Sequence, residues 1–175
     1  QMEILKELFT KTNIAYIQLV NYEADDIIAS FITQTSQQHP DTSFDIFTRD
    51  KDLLQLLSKN TNILKYISGK ITLYTAEQFY QEYNFLPSSY VDYLSLIGDN
   101  IDNIEGVRGI GPVSANKLLQ QFSTAENIFR NFATLSEPTN VKSLLAGKEE
   151  LIYRNKKVIS LDQSLSLPIV DCSFN

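Results

Sequence analysis

Gly98-Asp99-Asn100-Ile101-Asp102-Asn103-Ile104-Glu105-Gly106-Val107-Arg108-Gly109-Ile110-Gly111 runs without a break into Pro112-Val113-Ser114-Ala115-Asn116-Lys117-Leu118-Leu119. The first half offers carboxylates, and the second is a glycine turn entering a helix. Such a turn aims backbone N–H groups at an anion, because the first N–H groups of a helix have no partner inside it. Acidic ligands and an anion seat therefore adjoin in the sequence. Just upstream, Leu86-Pro87-Ser88 opens a helix that carries Tyr90, Val91, Tyr93, Leu94 and Leu96 and ends at Gly98.

Toward the N-terminus the pattern changes. Thr75-Ala76-Glu77-Gln78 has the form of a capping box and places Phe79, Tyr80 and Tyr83 on a helix. Asn62 to Ile67 and Ile71 to Tyr74 flank Ser68-Gly69-Lys70 as a hairpin. Phe44 to Thr48 predicts a strand, with Asp50 and Asp52 just past its carboxyl end and Leu53, Leu54, Leu56 and Leu57 on a short helix after them. A helix from about Asn21 holds Glu23, Asp25 and Asp26 in its first turn, where the helix dipole favours acids, and turns Ile27, Ile28, Phe31 and Ile32 inward. Ile14 to Val20 predicts a buried strand, and Met2 to Lys11 an amphipathic helix. Helices feeding strands give an α/β class.

Toward the C-terminus the spacing is helical over Pro112 to Phe122, Thr124 to Phe132 and about Glu149 to Leu161, with Leu165 to Val170 extended. A boundary near Asn84 to Pro87 divides an α/β part, 1–85, from a helical part, 86–175. Phe79, Tyr80, Tyr83, Phe85, Tyr90 and Tyr93 fall at helical spacings and are assigned to the core. His39 beside Pro40 is a loop residue and Cys172 packs, so neither enters the chemistry.

One cysteine and one histidine exclude a disulfide framework, a cysteine-rich zinc site and a histidine-based triad, so any metal is held by oxygen. No apolar run reaches the roughly 18 residues of a membrane span, and no signal peptide opens the chain, so a soluble intracellular protein is expected. The net charge of −6 argues against a protein that simply coats nucleic acid. Its distribution changes that conclusion. With Glu23, Asp25, Asp26, Asp50, Asp52, Asp99 and Asp102 set aside as a metal cluster, 14 acids face 15 bases, which is compatible with a DNA ligand.

Taken singly, each acidic group has an ordinary explanation: helix-dipole acids, a helix cap at Asp50, or an Asx-rich turn at Asp99 and Asp102. A calcium EF-hand fails, because Ile101 stands at an alternate ligand position and no glutamate closes a twelve-residue loop. Three acidic clusters at the ends of apolar elements, without histidine or cysteine, suit Mg²⁺ or Mn²⁺ instead. Two such ions about 4 Å apart can activate a water and stabilise the leaving oxygen of a phosphodiester. Arg108, Ser114, Asn116 and Lys117 around the glycine turn suit contact with a phosphate backbone without readout of sequence.

Tyr22-Glu23-Ala24-Asp25-Asp26, Asp50-Lys51-Asp52, Gly98-Asp99 with Asp102-Asn103, and Gly106 to Gly111 occur in an order and spacing that resembles the 5′-nuclease domain of bacterial DNA polymerase I, within the flap endonuclease group. The resemblance covers nearly the whole chain. It implies a PIN-like α/β domain, incomplete at its N-terminus, over 1–85, and a helix–three-turn–helix DNA-binding subdomain over 86–175. It implies two Mg²⁺ (or Mn²⁺) ions in a 5′-3′ exonuclease and 5′-flap endonuclease, with Glu23, Asp25 and Asp26 holding or bridging the metals and Asp50, Asp52, Asp99 and Asp102 completing chiefly the shell of the second metal, some through water. It also implies K⁺ at the hairpin, with Gly106, Arg108, Gly109, Gly111, Ser114 and Lys117 toward duplex DNA bearing a 5′ end or flap. A monomeric, cytoplasmic, nucleoid-associated bacterial protein is expected. The sequence departs from the group at Asn21, where glycine is frequent, at Glu105, where proline is common, and at Val113, where lysine is frequent. Members also carry an earlier strand, further aspartates and a basic arch, so the chain is expected to be an N-terminally truncated piece of weak or no activity. The rival expectations are a duplex-binding module whose acids are structural, indifferent to Mg²⁺, and a PIN-type ribonuclease.

Overall fold

A computed structural model describes residues 2–12, 14–134 and 139–167. The chain forms two compact units, Gln1–Thr42 with Leu161–Asn175, and Ser43–Ser160.

In the first unit, helix α1 (Met2–Lys11) and helix α2 (Ala24–Gln38) form as the spacing predicts, with α2 starting later than expected. Glu23 takes the N-cap position in extended conformation, and Asn21 adopts a left-handed φ of 68°, which asparagine tolerates and glycine would favour. Ala29 and Ser30 are the buried centre of α2, while Ile27, Ile28, Phe31 and Ile32 are half-buried, so the inner face is shifted from the expected one. The Ser30 hydroxyl donates to the Asp162 carbonyl at 2.9 Å and accepts from the Leu165 N–H at 3.1 Å, holding the described end of the chain. The strand expected over Ile14 to Val20 does not form. Ile14 is 54% and Val20 80% exposed, and among the described residues no segment supplies the ladder without which an extended run is not a strand. Of the expected extended tail, 165–167 is irregular and the remainder, like Cys172, lies outside the described residues.

In the second unit, strand β1 (Phe44–Phe47) pairs in parallel with β2 (Thr61–Ile67), which pairs antiparallel with β3 (Lys70–Tyr74). A 3₁₀ helix, Asp52–Leu56, connects β1 toward β2 and buries Leu53 and Leu54. The β2–β3 turn uses Ser68 and Gly69 at positive φ, the conformation a tight hairpin requires. Helix α3 (Ala76–Tyr83) begins with the expected capping box, in which the Thr75 hydroxyl accepts from the Gln78 N–H and the Gln78 side chain accepts from the Thr75 N–H. Phe79, Phe85, Tyr90 and Tyr93 are core residues, with Tyr83 stacked on Phe79. Tyr80, 51% exposed, is the exception to that assignment, because it lies on the solvent side of α3.

The 3₁₀ turn Pro87–Ser89 leads into α4 (Tyr90–Ile97). Strands β4 (Gly98–Asp99) and β5 (Ile104–Glu105) form a two-residue ladder that the sequence did not announce. Helices α5 (Pro112–Phe122) and α6 (Ala125–Arg130) follow, then a 3₁₀ turn at Phe132–Thr134, the unexpected α7 (Thr139–Leu145) and α8 (Glu149–Ile159). Buried Asp92 of α4 accepts from the Ala125 N–H at 3.0 Å and from Lys156 of α8 at 2.7 Å, and Lys156 also holds Glu126 at 2.9 Å. Burial pushes the Asp92 carboxyl up despite that ammonium, so its charge is tolerated only because it is fully paired. Buried Asn155 donates to the Glu105 carbonyl at 2.7 Å and the Ser95 carbonyl at 3.3 Å, which pins β5 to the end of α4.

Candidate metal centre

The loop after β1 is built by side chains that cap their own backbone. The Thr48 hydroxyl accepts from the Asp50 N–H at 2.9 Å, and the Asp50 carboxylate accepts from the Asp52 N–H at 3.0 Å. Asp50 thus opens the 3₁₀ helix and fixes the start of the turn that carries Asp52. Asp99 enters from β4 and Asp102 from the turn between β4 and β5. Gly98 makes this possible. Its φ is +79°, and a Cβ there would lie 2.3 Å from the Gly106 nitrogen, while one on Gly106 would lie 2.2 Å from the Ile97 carbonyl carbon. Two backbones cross in contact, and a side chain on either would separate them.

One carboxylate oxygen from each of Asp52, Asp99 and Asp102 lies within 4.8 Å of the others. Asp99 is 4% exposed, Asp52 half-buried and Asp102 exposed. Asp99 accepts from the Ile101 N–H at 2.9 Å and contacts the Lys51 ammonium with its other oxygen. Burial works against its charge, but Lys51 and the Ile101 N–H outweigh burial and hold the carboxyl below its ordinary value. Asp52 behaves in the opposite way: burial first, then the carboxylates of Asp50, Asp102 and Asp99, push it up to about 6, against the lesser pull of Lys51. Its Oδ1 is buried with no hydrogen-bond partner among the described residues. An orphaned carboxylate oxygen beside two more carboxylates is the donor set of a hard divalent cation, so the residues fit such an ion.

Glu23, Asp25 and Asp26 belong to the other unit, where α2 alone places them. Glu23 makes no capping bond, and Asp26 accepts from the Asp162 N–H at 2.8 Å. Asp50 is not among the three converging acids. Lys51 was missed by sequence reasoning, although its place between two acids in Asp50-Lys51-Asp52 was a usable sign of a counter-charge.

Beyond β5 the Ile110 N–H donates to the Val107 carbonyl at 2.9 Å, closing a turn with Gly109 at φ +90°. Gly111 is the N-cap of α5 without a side-chain cap, and Pro112 at the first helical position has no N–H. The N–H groups of Val113 and Ser114 therefore lie at the open end of the helix. Arg108 and Lys117 are exposed and Ser114 half-buried around it. Gly106 is accounted for by the backbone crossing. Gly111 is different: its φ is −104° and a Cβ would meet nothing within 4 Å, so the fold itself does not demand glycine there.

Fold and site together define an α/β protein with a candidate oxygen-only metal site, Asp52, Asp99 and Asp102, at the edge of a helical region. A family model described as 5′-3′ exonuclease, N-terminal resolvase-like domain, matches residues 1–84, and one described as 5′-3′ exonuclease, C-terminal SAM fold, matches residues 85–174. The chain belongs to this 5′-3′ exonuclease family. It is 37% identical over 154 residues to a 5′-3′ exonuclease of Halalkalibacterium halodurans, covering 87% of this chain and 50% of that protein. It is 33% identical over 176 residues to a 5′-3′ exonuclease of Mycoplasma genitalium, covering 95% and 59%. It is also 34% identical over 174 residues to a DNA polymerase I of Caldicellulosiruptor bescii, covering 97% and 20%. The chain thus spans about half the length of the curated exonucleases it matches. In fold it is similar to the T5 D15 protein co-crystallized with metal ions, with a TM-score of 0.75 at 24% identity over 92% of this chain and 60% of that one. It is similar as well to the catalytic core of Rad2 in complex with DNA substrate, with a TM-score of 0.60 at 18% identity over 97% and 57%. Among the described residues no helix is long and apolar enough to cross a membrane.

Proposed function

We propose that this chain carries part of the active centre of a 5′-3′ exonuclease and 5′-flap endonuclease acting on DNA in replication and repair. The observation that supports it most is the convergence of Asp52, Asp99 and Asp102 on a point where a buried Asp52 oxygen lacks a hydrogen-bond partner among the described residues. These three, with Asp50, would hold chiefly the second of two divalent ions, Mg²⁺ or Mn²⁺, and Glu23, Asp25 and Asp26 would help to hold or bridge the metals. Bound ions of this kind lower the pKa of a water and stabilise charge on the leaving oxygen of a phosphodiester. Asp99 would anchor the set, since Lys51 and the Ile101 N–H hold its buried carboxyl below its ordinary value, and a bound cation would offset the burial and the neighbouring carboxylates that push Asp52 up to about 6.

Residues 1–85 act as the nuclease part and 86–175 as the DNA-binding part. Gly106, Arg108, Gly109, Gly111, Ser114 and Lys117 receive duplex phosphates, with K⁺ at the hairpin. The open approach over Gly111 and the uncapped start of α5 support that assignment. A monomer in the bacterial cytoplasm, working on the nucleoid, is the matching context.

The test is cleavage of 5′-flap DNA and of a matched RNA by the full-length protein, with Mg²⁺, Mn²⁺ or EDTA. Metal-dependent cleavage of the DNA, lost in Asp99→Ala, is expected. Cation-independent duplex binding with no cleavage would replace this reading by a binding module, and preference for RNA would replace it by a ribonuclease.

A further inference from the structure

Two buried aspartates of the second unit each face a lysine, and the two pairs are built differently. The side chains of Asp92 and Asp99 are 3% and 2% exposed, and they meet Lys156 and Lys51 respectively. Lys156 is clasped. It donates to Asp92 Oδ1 at 2.7 Å and to the two Glu126 oxygens at 2.9 and 3.0 Å, and the Ala125 N–H donates to the same Asp92 oxygen at 3.0 Å. Lys51 meets Asp99 Oδ2 as an ion pair, yet that buried oxygen has no hydrogen bond of ordinary geometry among the described residues. Asp99 Oδ2 and Asp52 Oδ1 are therefore two buried carboxylate oxygens of one acidic group, each without a hydrogen bond among those residues. Lys51 also has somewhere else to go. It stands at the N-cap of the 3₁₀ helix between Asp50 and Asp52, its side chain is 36% exposed, and it lines a cavity of about 290 Å³ together with Leu54 and Ile63. A turn of the side chain moves its ammonium off Asp99 with the main chain in place.

We propose that Lys51 is an exchangeable counter-cation: its ammonium and a divalent ion compete for Asp99, so Lys51 sets how tightly the centre binds its ion. The inference rests on the reading of Asp52, Asp99 and Asp102 as a divalent-cation centre and adds to it a residue that tunes affinity. An ammonium and a divalent ion at one carboxylate repel each other, so the arrival of either loosens the other. The effect is reciprocal, because a coupling free energy between two cations acts equally on both. A lysine clasped like Lys156 would not exchange in this way, since leaving would strand hydrogen-bonding groups of Asp92 and Glu126.

The test is calorimetry of Mn²⁺ and Mg²⁺ binding to the full-length protein without DNA. Lys51→Met removes the charge and keeps most of the side chain's length, and it is expected to tighten binding about tenfold, within the usual range of such couplings. Lys70→Met, which removes an exposed charge from β3, should leave affinity unchanged. Weaker or unchanged binding in Lys51→Met overturns the proposal, and so does an equal gain in Lys70→Met, which would be an effect of net charge. A second measurement needs no variant and holds even if Lys51→Met melts early. The rate at which an amine-reactive reagent acylates Lys51, read by peptide mass spectrometry, should rise with saturating Mg²⁺ while that of Lys70 stays constant. A fall or no change at Lys51 overturns the proposal. The unaltered protein separates the two readings. If it binds neither ion, the cation-centre reading fails and the exchange with it. If it binds an ion with an affinity that Asp102→Asn weakens and Lys51→Met leaves alone, the centre stands and the exchange falls.

Discussion

Asp26 and Asp52 both stand in the first turn of a helix just past an irregular segment, and in the sequence they are equivalent acids. In the structure they are not. Asp26 has a backbone N–H to accept, that of Asp162, so its charge serves its own unit whether or not a metal binds. Asp52 is crowded by Asp50, Asp99 and Asp102, its carboxyl raised to about 6 and its Oδ1 unpartnered among the described residues. The difference teaches that acids alike in number and helical position need not be alike in electrostatics. What singles out Asp52 as a candidate ligand is a buried carboxylate oxygen left to its like-charged neighbours.

Several substitutions break or sharpen that contrast. The largest effect is expected from Gly98→Ala, which forces a Cβ into the Gly106 backbone at a positive φ and dismantles the turn that brings Asp99 and Asp102 to Asp52. A loss of about 3 kcal/mol or more in urea unfolding is expected. Next is Asp52→Asn. Without divalent cations it should stabilise the protein by about 1–2 kcal/mol, allowing for the solvent that reaches a half-buried group. With saturating Mg²⁺ the order should reverse, because only the unaltered site gains binding energy. Equal stabilities in both conditions would refute the crowding argument. The pH dependence should follow the same sign. The folded-state pKa of Asp52 lies above its ordinary 3.8, so its contribution is present below that value and lost as pH rises through about 6. Metal-free stability should therefore fall between about pH 4 and 6 by an amount that Asp52→Asn removes. Asp99, whose pKa is lowered, contributes stability that is lost only as pH falls below 3.8, outside that window. The smallest effect is expected from Asp26→Ala, about 1 kcal/mol less stable in metal-free unfolding scans for one orphaned N–H, that of Asp162.

Local chemistry was legible in the sequence. Thr75 and Gln78 capped α3 as read, Ser68 and Gly69 turned the β2–β3 hairpin, and Pro112 began α5. Each depends on neighbours a few residues away. What could not be read depends on distant partners. Ile14 to Val20 has a strand's composition, yet pairing is a property of two segments, and none of the described residues supplies the second. The β4–β5 ladder is two residues long, too short for any periodicity, and exists because Gly98 and Gly106 let backbones touch. Helix α7 opens with the poor helix formers Thr139 and Asn140 and is held by burial of Val141 and Leu145. For the site, the acids were visible as candidates, but their sorting was not: Asp50 capping the Asp52 N–H, Lys51 on Asp99 and Asn155 pinning β5 are contacts made by folding.

The backbone crossing at Gly98 and Gly106 has one further consequence. The Val107 N–H donates to the Leu96 carbonyl at 2.8 Å, so the chain that carries Asp99 and the chain that begins the glycine turn are riveted within one residue of each other. Under the function proposed above, duplex phosphates at that turn would lie at a gauge length from the carboxylates set by main chain and not by adaptable side chains. A shift in the crossing would then appear as a change in where the strand is cut before it appeared as a change in how fast.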